Sequence, residues 1–425
     1  MAEKKQVTVI GGGSSGLMAA INAARCGAAV VLLERLDRVG KKLLATGNGR
    51  CNLSNADCSA SRFHGGDPAF IAEILARFPV EKTIDFFEKL GIACKTEDQG
   101  KIYPQSDQAS AVLDVLRWEL ERLHVEVRTG CEVIRISPRS AGFVLSLADG
   151  KELGAGLVIL AGGGRAGPQF GSDGSGLRLA HELGHRLIEP LAAIVALRLG
   201  ADFLRRLKGV KFVGRAEVRC GDDVLRQEAG EILFSDNGVS GPPVLQLSRT
   251  AAVALRKKKA PRIVLDLFPQ SSLDELDAAL ANRFRLQGHK SLAMGLVGLL
   301  NKRLIPVVLA QAGVPDSSIA CIALPAQARQ RLAALLKSWS FPVVGTQPWP
   351  QAQVTAGGIA LDEVDPATLE SRLVPGLYFC GEILDVDGDC GGFNLQWAWS
   401  SGWLAGLSAA GGHYTSGVGA FPIDL

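Results

Sequence analysis

The chain has no close-spaced cysteine pair: its nine cysteines are scattered, and no C-x-x-C occurs among its 425 residues. This spacing excludes a zinc ribbon and a close-spaced redox dithiol, and it fits a reducing compartment. Metal-binding histidine spacing is also missing. His64, His124, His181, His185, His289 and His413 form no ligand set, and the i,i+4 pair His181/His185 has no third ligand nearby in sequence. No metal is expected. Every apolar stretch is interrupted before about 18 residues, so no membrane span is expected. The first six residues, MAEKKQ, run straight into an apolar strand and leave no room for a signal peptide, which points to the cytoplasm. Internal repeats and low-complexity runs are absent too. A net charge of +3 permits an anionic partner without demanding one. The 47% hydrophobic content can bury a sizeable core, and the length suits two or three domains. Glycine, with 50 residues, is in excess and clustered.

The first cluster organises the chain. Residues 7–35, VTVIGGGSSGLMAAINAARCGAAVVLLER, read as strand, glycine turn, Ala-rich helix and second strand. Gly11, Gly13 and Gly16 fit G-x-G-x-x-G, with Ser14 and Ser15 opening the helix. Gly11 allows the tight turn, Gly13 lets backbone approach a pyrophosphate, and Gly16 lets helix pack on strand. The helix N-terminus offers N–H groups and partial positive charge to phosphates. Glu34 ends the second strand, where a carboxylate accepts from ribose hydroxyls. The motif in this setting predicts a dinucleotide site.

Residues 38–55, RVGKKLLATGNGRCNLSN, are too polar and glycine-rich for a core element, and predict a loop wrapping an anionic cofactor. Helices are expected from Asp67-Pro68, over about 80–90 and over about 108–124, with a hairpin in 92–104. Strands are expected at 125–136, 143–147 and 157–160. The last leads into AGGGRAG, where Gly162, Gly164 and Gly167 repeat the glycine spacing. Pro168 follows at once and no acid closes a second strand, so a cofactor contact is expected there, not a second nucleotide fold. Residues 189–270 alternate as short strands (193–199, 212–219, 231–234, 262–267) with Gly-Asp, Asn-Gly and Gly-Pro-Pro turns, and 273–336 are mostly helical. Near the end, a buried strand at 377–380 meets Gly381-Glu382, and a helix opens at Gly391–Ala398 and runs to about Leu407 before a glycine-rich tail. This order resembles the second half of many flavin folds, which implies a helix N-terminus facing the pyrimidine end of a flavin and favours FAD over NAD as the held cofactor.

Three stretches, GKKLLATGNGRCNLSN, EILFSDNGVSGPPVLQLS and the segment from VTAGGIALDEVD to LYFCGEILDVDGDCGGFNLQWAWSSG, resemble the BaiN/YhiN-like family of bacterial FAD-dependent oxidoreductases, over nearly the whole chain. The resemblance implies an α/β fold: a discontinuous Rossmann-like FAD-binding domain (1–190 and 350–425), a β-barrel-like insert (191–272 and 337–349) and a nested helical domain (273–336). Carried onto this sequence, it gives the ADP half of FAD to Gly11, Gly13, Ser14, Ser15, Gly16, Glu34 and Arg35. Lys42 and Asn48 lie along the wrapping loop, Val133 sets backbone against adenine, and Ala161, Gly162 and Gly163 touch the cofactor near its middle. Gly381, Glu382, Gly392, Asn394, Leu395 and Gln396 face ribityl chain and flavin. Glu382 stands where Gly-Asp is usual, which leaves open whether it or Asp387 takes the ribitol hydroxyl.

Three side chains are candidate proton donors: Cys51, whose neighbour Arg50 would lower a thiol pKa, Tyr103 in GKIYP, and Cys390 in DVDGDCGG. Trp397, Trp399 and Trp403 are expected to pack the last helix on the sheet. Family members reduce conjugated C=C bonds in steroid-like molecules, oxidise small amino ketones, or reduce a uridine ring in ribosomal RNA. The expectation is therefore a cytoplasmic reductase with tight, non-covalent FAD and transient NAD(P)H, acting on an electron-poor C=C of a small molecule. The alternatives are an O₂-using oxidase and an RNA-binding flavoprotein. Basic stretches at Arg205, Arg206, Lys208 and Lys211, and in 256–262 (RKKKAPR), keep RNA in view as a partner.

Overall fold

A computed structural model describes residues 4–412; the first three residues, His413 and the tail beyond it lie outside the described residues. The described residues divide into two compact units, one formed by residues 4–191 and 353–412 and the other by 192–352.

The first unit is built on a five-stranded parallel sheet. Its strands are β1 (Gln6–Ile10), β2 (Ala29–Leu33), β3 (Glu126–Arg128), β4 (Leu157–Leu160) and β5 (Leu377–Phe379), in the order β5-β4-β1-β2-β3. Central β1 is in register with both neighbours, Val9 opposite Leu32 and Ile159, and its run of Val and Ile is buried on both faces, as a covered parallel strand requires. The strand order reverses between β1 and β4. Ligands of open α/β sheets bind in the crevice at the carboxyl ends of strands flanking such a reversal.

Two helices cross beneath that crevice. Helix α1 (Ser14–Arg25) follows β1, and α2 (Phe393–Ala409) follows β5. They meet through glycine: a Cβ on Gly402 would lie 2.4 Å from the Ser15 carbonyl oxygen, and one on Gly406 2.3 Å from that of Ala19. The i,i+4 spacing of both pairs brings the two backbones into contact along one face. Asn22 Nδ2 donates to the Trp403 carbonyl at 2.8 Å across the same seam. Trp397 and Trp399 are fully buried and also hydrogen-bonded, their indole N–H groups donating to the carbonyls of Gly381 (3.1 Å) and Leu53 (3.0 Å).

The strand expected over 125–136 is broken in two, β3 and Val133–Arg139. Gly130 turns the chain with φ +64°, and the N–H groups of Gly130 and Cys131 are drawn to the carbonyls of Leu36 and Glu34. Val133–Arg139 then joins Gly142–Leu147 and Glu152–Ala155 in an antiparallel sheet, turned at Asp149-Gly150.

In the second unit six strands close a barrel in the order Leu197–Leu199, Gly238–Ser240, Asp223–Ser235, Lys211–Cys220, Arg262–Asp266 and Trp339–Thr346. Phe234, Trp339 and Phe341 cluster in its core. Helices Leu273–Leu286, Leu292–Leu296, Ile305–Gln311 and Ala326–Lys337 share that core. The Gly-Pro-Pro read as a turn instead opens a 15-residue helix, Pro242–Arg256, with both prolines in its first turn, where no N–H is required.

Candidate cofactor site and proton donors

The glycine turn has the form its sequence demands. Gly11 adopts φ +106°, and a Cβ there would stand 2.5 Å from the Ala161 carbonyl oxygen, so β1 and β4 end in contact. A Cβ on Gly16 would collide with the carbonyl of Gly11. Gly13 differs from both, because a Cβ there would meet nothing within 4 Å. Gly13 is the N-cap of α1, in extended conformation and without a side-chain cap, so the N–H groups of the first turn are left to an incoming anion. Glu34 is buried at the end of β2; its Oε2 accepts from Gly12 N and its Oε1 from Leu36 N, both at 2.8 Å. Arg35 is drawn to Asp173 at 2.5 Å and to the Ser175 hydroxyl. Val133 is buried at the start of its strand. An uncapped helix N-terminus, an open face at Gly13 and a fixed carboxylate at the second strand end fit the ADP half of FAD.

The wrapping segment is more regular than expected. Lys41–Ala45 is helical, because KKLLA contains good helix formers, and Thr46–Gly49 forms a tight turn with Gly47 and Asn48 left-handed. Asn48 is exposed at its tip. Lys42 Nζ reaches Glu382 Oε2 at 2.6 Å. Glu382 Oε1 accepts from Thr355 N at 2.8 Å, so both carboxylate oxygens are engaged. Ala161 is buried and Gly163 has φ +68°. A Cβ on Gly162 would approach Gly176 Cα to 2.9 Å, and one on Gly381 would lie 2.3 Å from Ser15 Oγ.

The N-terminus of α2 is held by its flanking loop. Gly392 has φ +104°, and a Cβ there would lie 2.2 Å from the Ser54 carbonyl oxygen. Asn394 Oδ1 accepts from Gly388 N, and its Nδ2 donates to the carbonyls of Gly388 and Asp389. Leu395 is half-buried. Gln396 points into the protein: its Oε1 accepts from Ser54 Oγ at 2.6 Å and its Nε2 donates to the Phe78 carbonyl at 3.1 Å. It thus pins the wrapping segment to α2. Asp387 is buried on strand Val386–Gly388, opposite His64 of Phe63–Gly65. Asn52 Oδ1, beside Gly392, is buried without a hydrogen-bond partner.

The three candidate proton donors differ in their surroundings. Cys51 is fully buried in a left-handed turn, φ +61°, and burial pushes its thiol up to about 12 against a smaller opposing hydrogen bond with Thr46. The expected lowering by Arg50 is not found, because Arg50 is spent elsewhere: Nη2 contacts Glu97 and Asp107, each at 2.5 Å. Its guanidinium carbon lies 4.0 Å from the centroid of the Tyr103 ring. Burial raises the Tyr103 phenol, the Arg50 charge opposes that, and Cys390 is near enough to add to it. Burial likewise raises the Cys390 thiol, with Lys101 opposing and Asp389 reinforcing. Arg50 thus covers the Tyr103 ring on strand Lys101–Pro104, and Cys390, in the loop before α2, lies within electrostatic reach of that phenol. Asn55 ties that loop to the wrapping segment, its Nδ2 donating to the Gly391 carbonyl at 2.8 Å. Among the described residues no His, Cys, Asp and Glu cluster could hold a metal ion, and no helix is long and apolar enough to cross a membrane.

Sequence reasoning missed Asn52, Ser54, Asn55 and Thr355. The signal for the first three was present: polar residues at alternate or adjacent positions just after the glycine turn, in a stretch otherwise able to pack.

Residues 5–408 match the family described as HI0933-like protein Rossmann domain. The 3-dehydro-bile acid delta(4,6)-reductase of Clostridium scindens is 40% identical over 407 residues, covering 95% of this chain and 99% of the relative. The ribosomal RNA dihydrouridine synthase of Escherichia coli is 31% identical over 403 residues, covering 94% and 97%. Among solved structures, the 3-ketosteroid-delta4-(5alpha)-dehydrogenase of Rhodococcus jostii RHA1 aligns with a TM-score of 0.46 at 15% identity, covering 96% of this chain and 97% of that one. The chain belongs to the HI0933-like family, and its Rossmann-like domain is that of an FAD-dependent oxidoreductase.

Proposed function

We propose that this FAD-dependent oxidoreductase reduces an electron-poor C=C bond conjugated to a carbonyl, in a small steroid-like molecule, with NAD(P)H as transient electron donor. When bound, FAD supplies hydride transfer to the substrate carbon. The residues that would hold it are Gly11, Gly13, Ser14, Ser15, Gly16, Glu34 and Arg35 for the ADP half. Lys42, Asn48, Val133, Ala161, Gly162 and Gly163 would serve its middle, and Gly381, Glu382, Asp387, Gly392, Asn394 and Leu395 the flavin end. Gln396 would act indirectly, by fixing the start of α2 against Ser54.

The observation that carries the reading is Tyr103 under the Arg50 guanidinium, on a strand that Asn55 links to the loop before α2. Hydride addition to one end of an activated C=C leaves an enolate-like carbon that needs a proton. Tyr103 holds its proton firmly, because burial raises the phenol. It is therefore protonated at neutral pH and can still give its proton to an enolate-like carbon far more basic than itself, and the Arg50 charge over its ring partly offsets the cost that burial places on the phenolate. The reading is supported by the bile-acid reductase named above, which spans nearly the same length.

A second reading takes a uracil ring in RNA as the electron-poor C=C. It is favoured by the exposed Lys257, Lys258 and Lys259 in the barrel unit and by the name of the Escherichia coli relative. An amine or amino-ketone oxidase using O₂ needs no proton donor of this kind.

Anaerobic stopped-flow of the purified yellow protein separates these. Bleaching is followed with NADH, with NADPH and with neither. Recovery of colour on adding an enone supports the main reading. Recovery only with air favours the oxidase, and salt-sensitive RNA retention with recovery on RNA favours the second reading.

A further inference from the structure

We infer that Thr355 is a positioning residue of the cofactor site, acting through the glycine loop after β4 and through Glu382. It is fully buried on strand Val354–Ile359. Its hydroxyl oxygen accepts two backbone N–H groups, those of Arg165 at 2.8 Å and Ala166 at 3.0 Å. Its own N–H donates to Glu382 Oε1 at 2.8 Å, and Glu382 Oε2 in turn receives Lys42 Nζ at 2.6 Å. One residue thereby fixes three segments that meet around the crevice: the Ala161–Gly167 loop, the Gly381–Ile383 turn and, through Glu382, the wrapping segment.

Gly164 records how tight the junction is. A Cβ there would lie 2.3 Å from Thr355 Oγ1 and 3.0 Å from Glu382 Oε1. The loop is pinned from its other side by Gly174 N donating to the Gly164 carbonyl at 2.9 Å. Two adjacent N–H groups converging on one oxygen hold a loop whose glycines, Gly163 at φ +68° and Gly167 at φ +76°, would otherwise allow many paths. Only a hydroxyl supplies this acceptor. Valine has the shape without the oxygen, and serine has the oxygen without the methyl group.

The inference rests on FAD as the cofactor, and its test uses deflavinated full-length protein titrated with FAD. Fluorescence quenching gives Kd, and visible circular dichroism of the bound flavin reports its setting. Thr355→Val is expected to raise Kd about tenfold and to change the flavin dichroism, since two buried donors lose their acceptor. Thr355→Ser is expected to restore both to near wild type. Gly164→Ala, which pushes a methyl group into the same junction, is expected to match the valine variant and serves if Thr355→Val fails to fold. Wild-type Kd and dichroism in a folded valine or alanine variant would overturn the inference, as would a serine variant as weak as valine. If wild-type apoprotein took up no FAD, the cofactor assignment itself would fall, which is a separate result.

Discussion

Lys42 and Glu382 stand 340 positions apart in the chain, yet Lys42 Nζ lies 2.6 Å from Glu382 Oε2. The pair joins the segment that follows the ribose-type acid to the turn that ends β5. Both side chains keep part of their surface in water, 27% and 21% exposed, so the attraction is partly screened.

Lys42→Met should therefore weaken FAD binding modestly. A double-mutant cycle with Glu382→Gln should show a coupling of roughly 1 kcal/mol at low salt. Raising ionic strength should shrink it. A coupling indistinguishable from zero at low salt would mean that the ion pair does not organise the cofactor site.

Glu34 plays two parts, because its carboxylate also receives Gly12 N and Leu36 N. Glu34→Ala removes the proposed ribose acceptor and strands two backbone donors, at about 1–3 kcal/mol each where they stay dry. The apoprotein should lose stability, and FAD affinity should fall further than that loss alone explains. Glu34→Gln keeps an amide oxygen and should lie between. An alanine variant with wild-type FAD affinity would remove Glu34 from the cofactor site.

Cys51 and Cys380 make the protein sensitive to alkali. Burial raises both thiols from 9.0 to about 12. Above pH 9 the unfolded chain releases protons that the folded chain keeps. Stability from these groups is therefore complete below pH 9 and declines as pH rises toward 12. Denaturant melts at pH 8, 9, 10 and 11 should show that decline, with a shallower slope in Cys51→Ser. Thiol titration of the folded protein at pH 8 should leave both cysteines unmodified until denaturant is added. Rapid labelling of Cys51 under native conditions would contradict its placement.

The Rossmann half was legible because its signals are local. Three glycines, a helix and an acid at a strand end fall within 7–35, and each needs only its neighbours to make sense. The helix opened by Pro242 and Pro243 was not, since Gly-Pro-Pro also marks a turn, and only the packing of Val244, Leu247 and Ala251 in the core decides between them. The Cys51 thiol was misjudged for a related reason. Arg50 is adjacent in sequence, but its charge is taken up by Glu97 and Asp107, 47 and 57 residues away. Thr355 could not be seen either, because its partners Arg165 and Ala166 lie 190 and 189 positions off.

Glycines 402 and 406 set the distance between α1 and α2. Gly406→Ala places a methyl group 2.3 Å from the Ala19 carbonyl oxygen, which forces the helices apart. Overpacking of this kind costs about 1–3 kcal/mol. The thermal midpoint should drop, and FAD affinity should drop with it. Destabilisation with unchanged affinity would show that the crossing supports the fold without setting the site.

Tyr103 carries the chemical prediction. Its phenol is raised by burial and so stays protonated at neutral pH, and Arg50, 4.0 Å from its ring centroid, partly offsets that shift. With an enone that restores the yellow colour of the bleached enzyme, Tyr103→Phe should slow that step by about 10²–10⁴ and leave bleaching by NAD(P)H unchanged. Arg50→Met should slow it less, since the phenol remains. Cys390→Ala tests the other donor: a rate near wild type leaves the role with Tyr103, and a loss matching Tyr103→Phe transfers it to the thiol. Cys51→Ala should leave the rate at the wild-type value. In D₂O the wild-type step should slow, and Tyr103→Phe should change the size of that effect, because the proton then comes from another source. A Tyr103→Phe variant with the wild-type rate and the same isotope effect would assign protonation to water or another side chain, and would remove strand Lys101–Pro104 from the site.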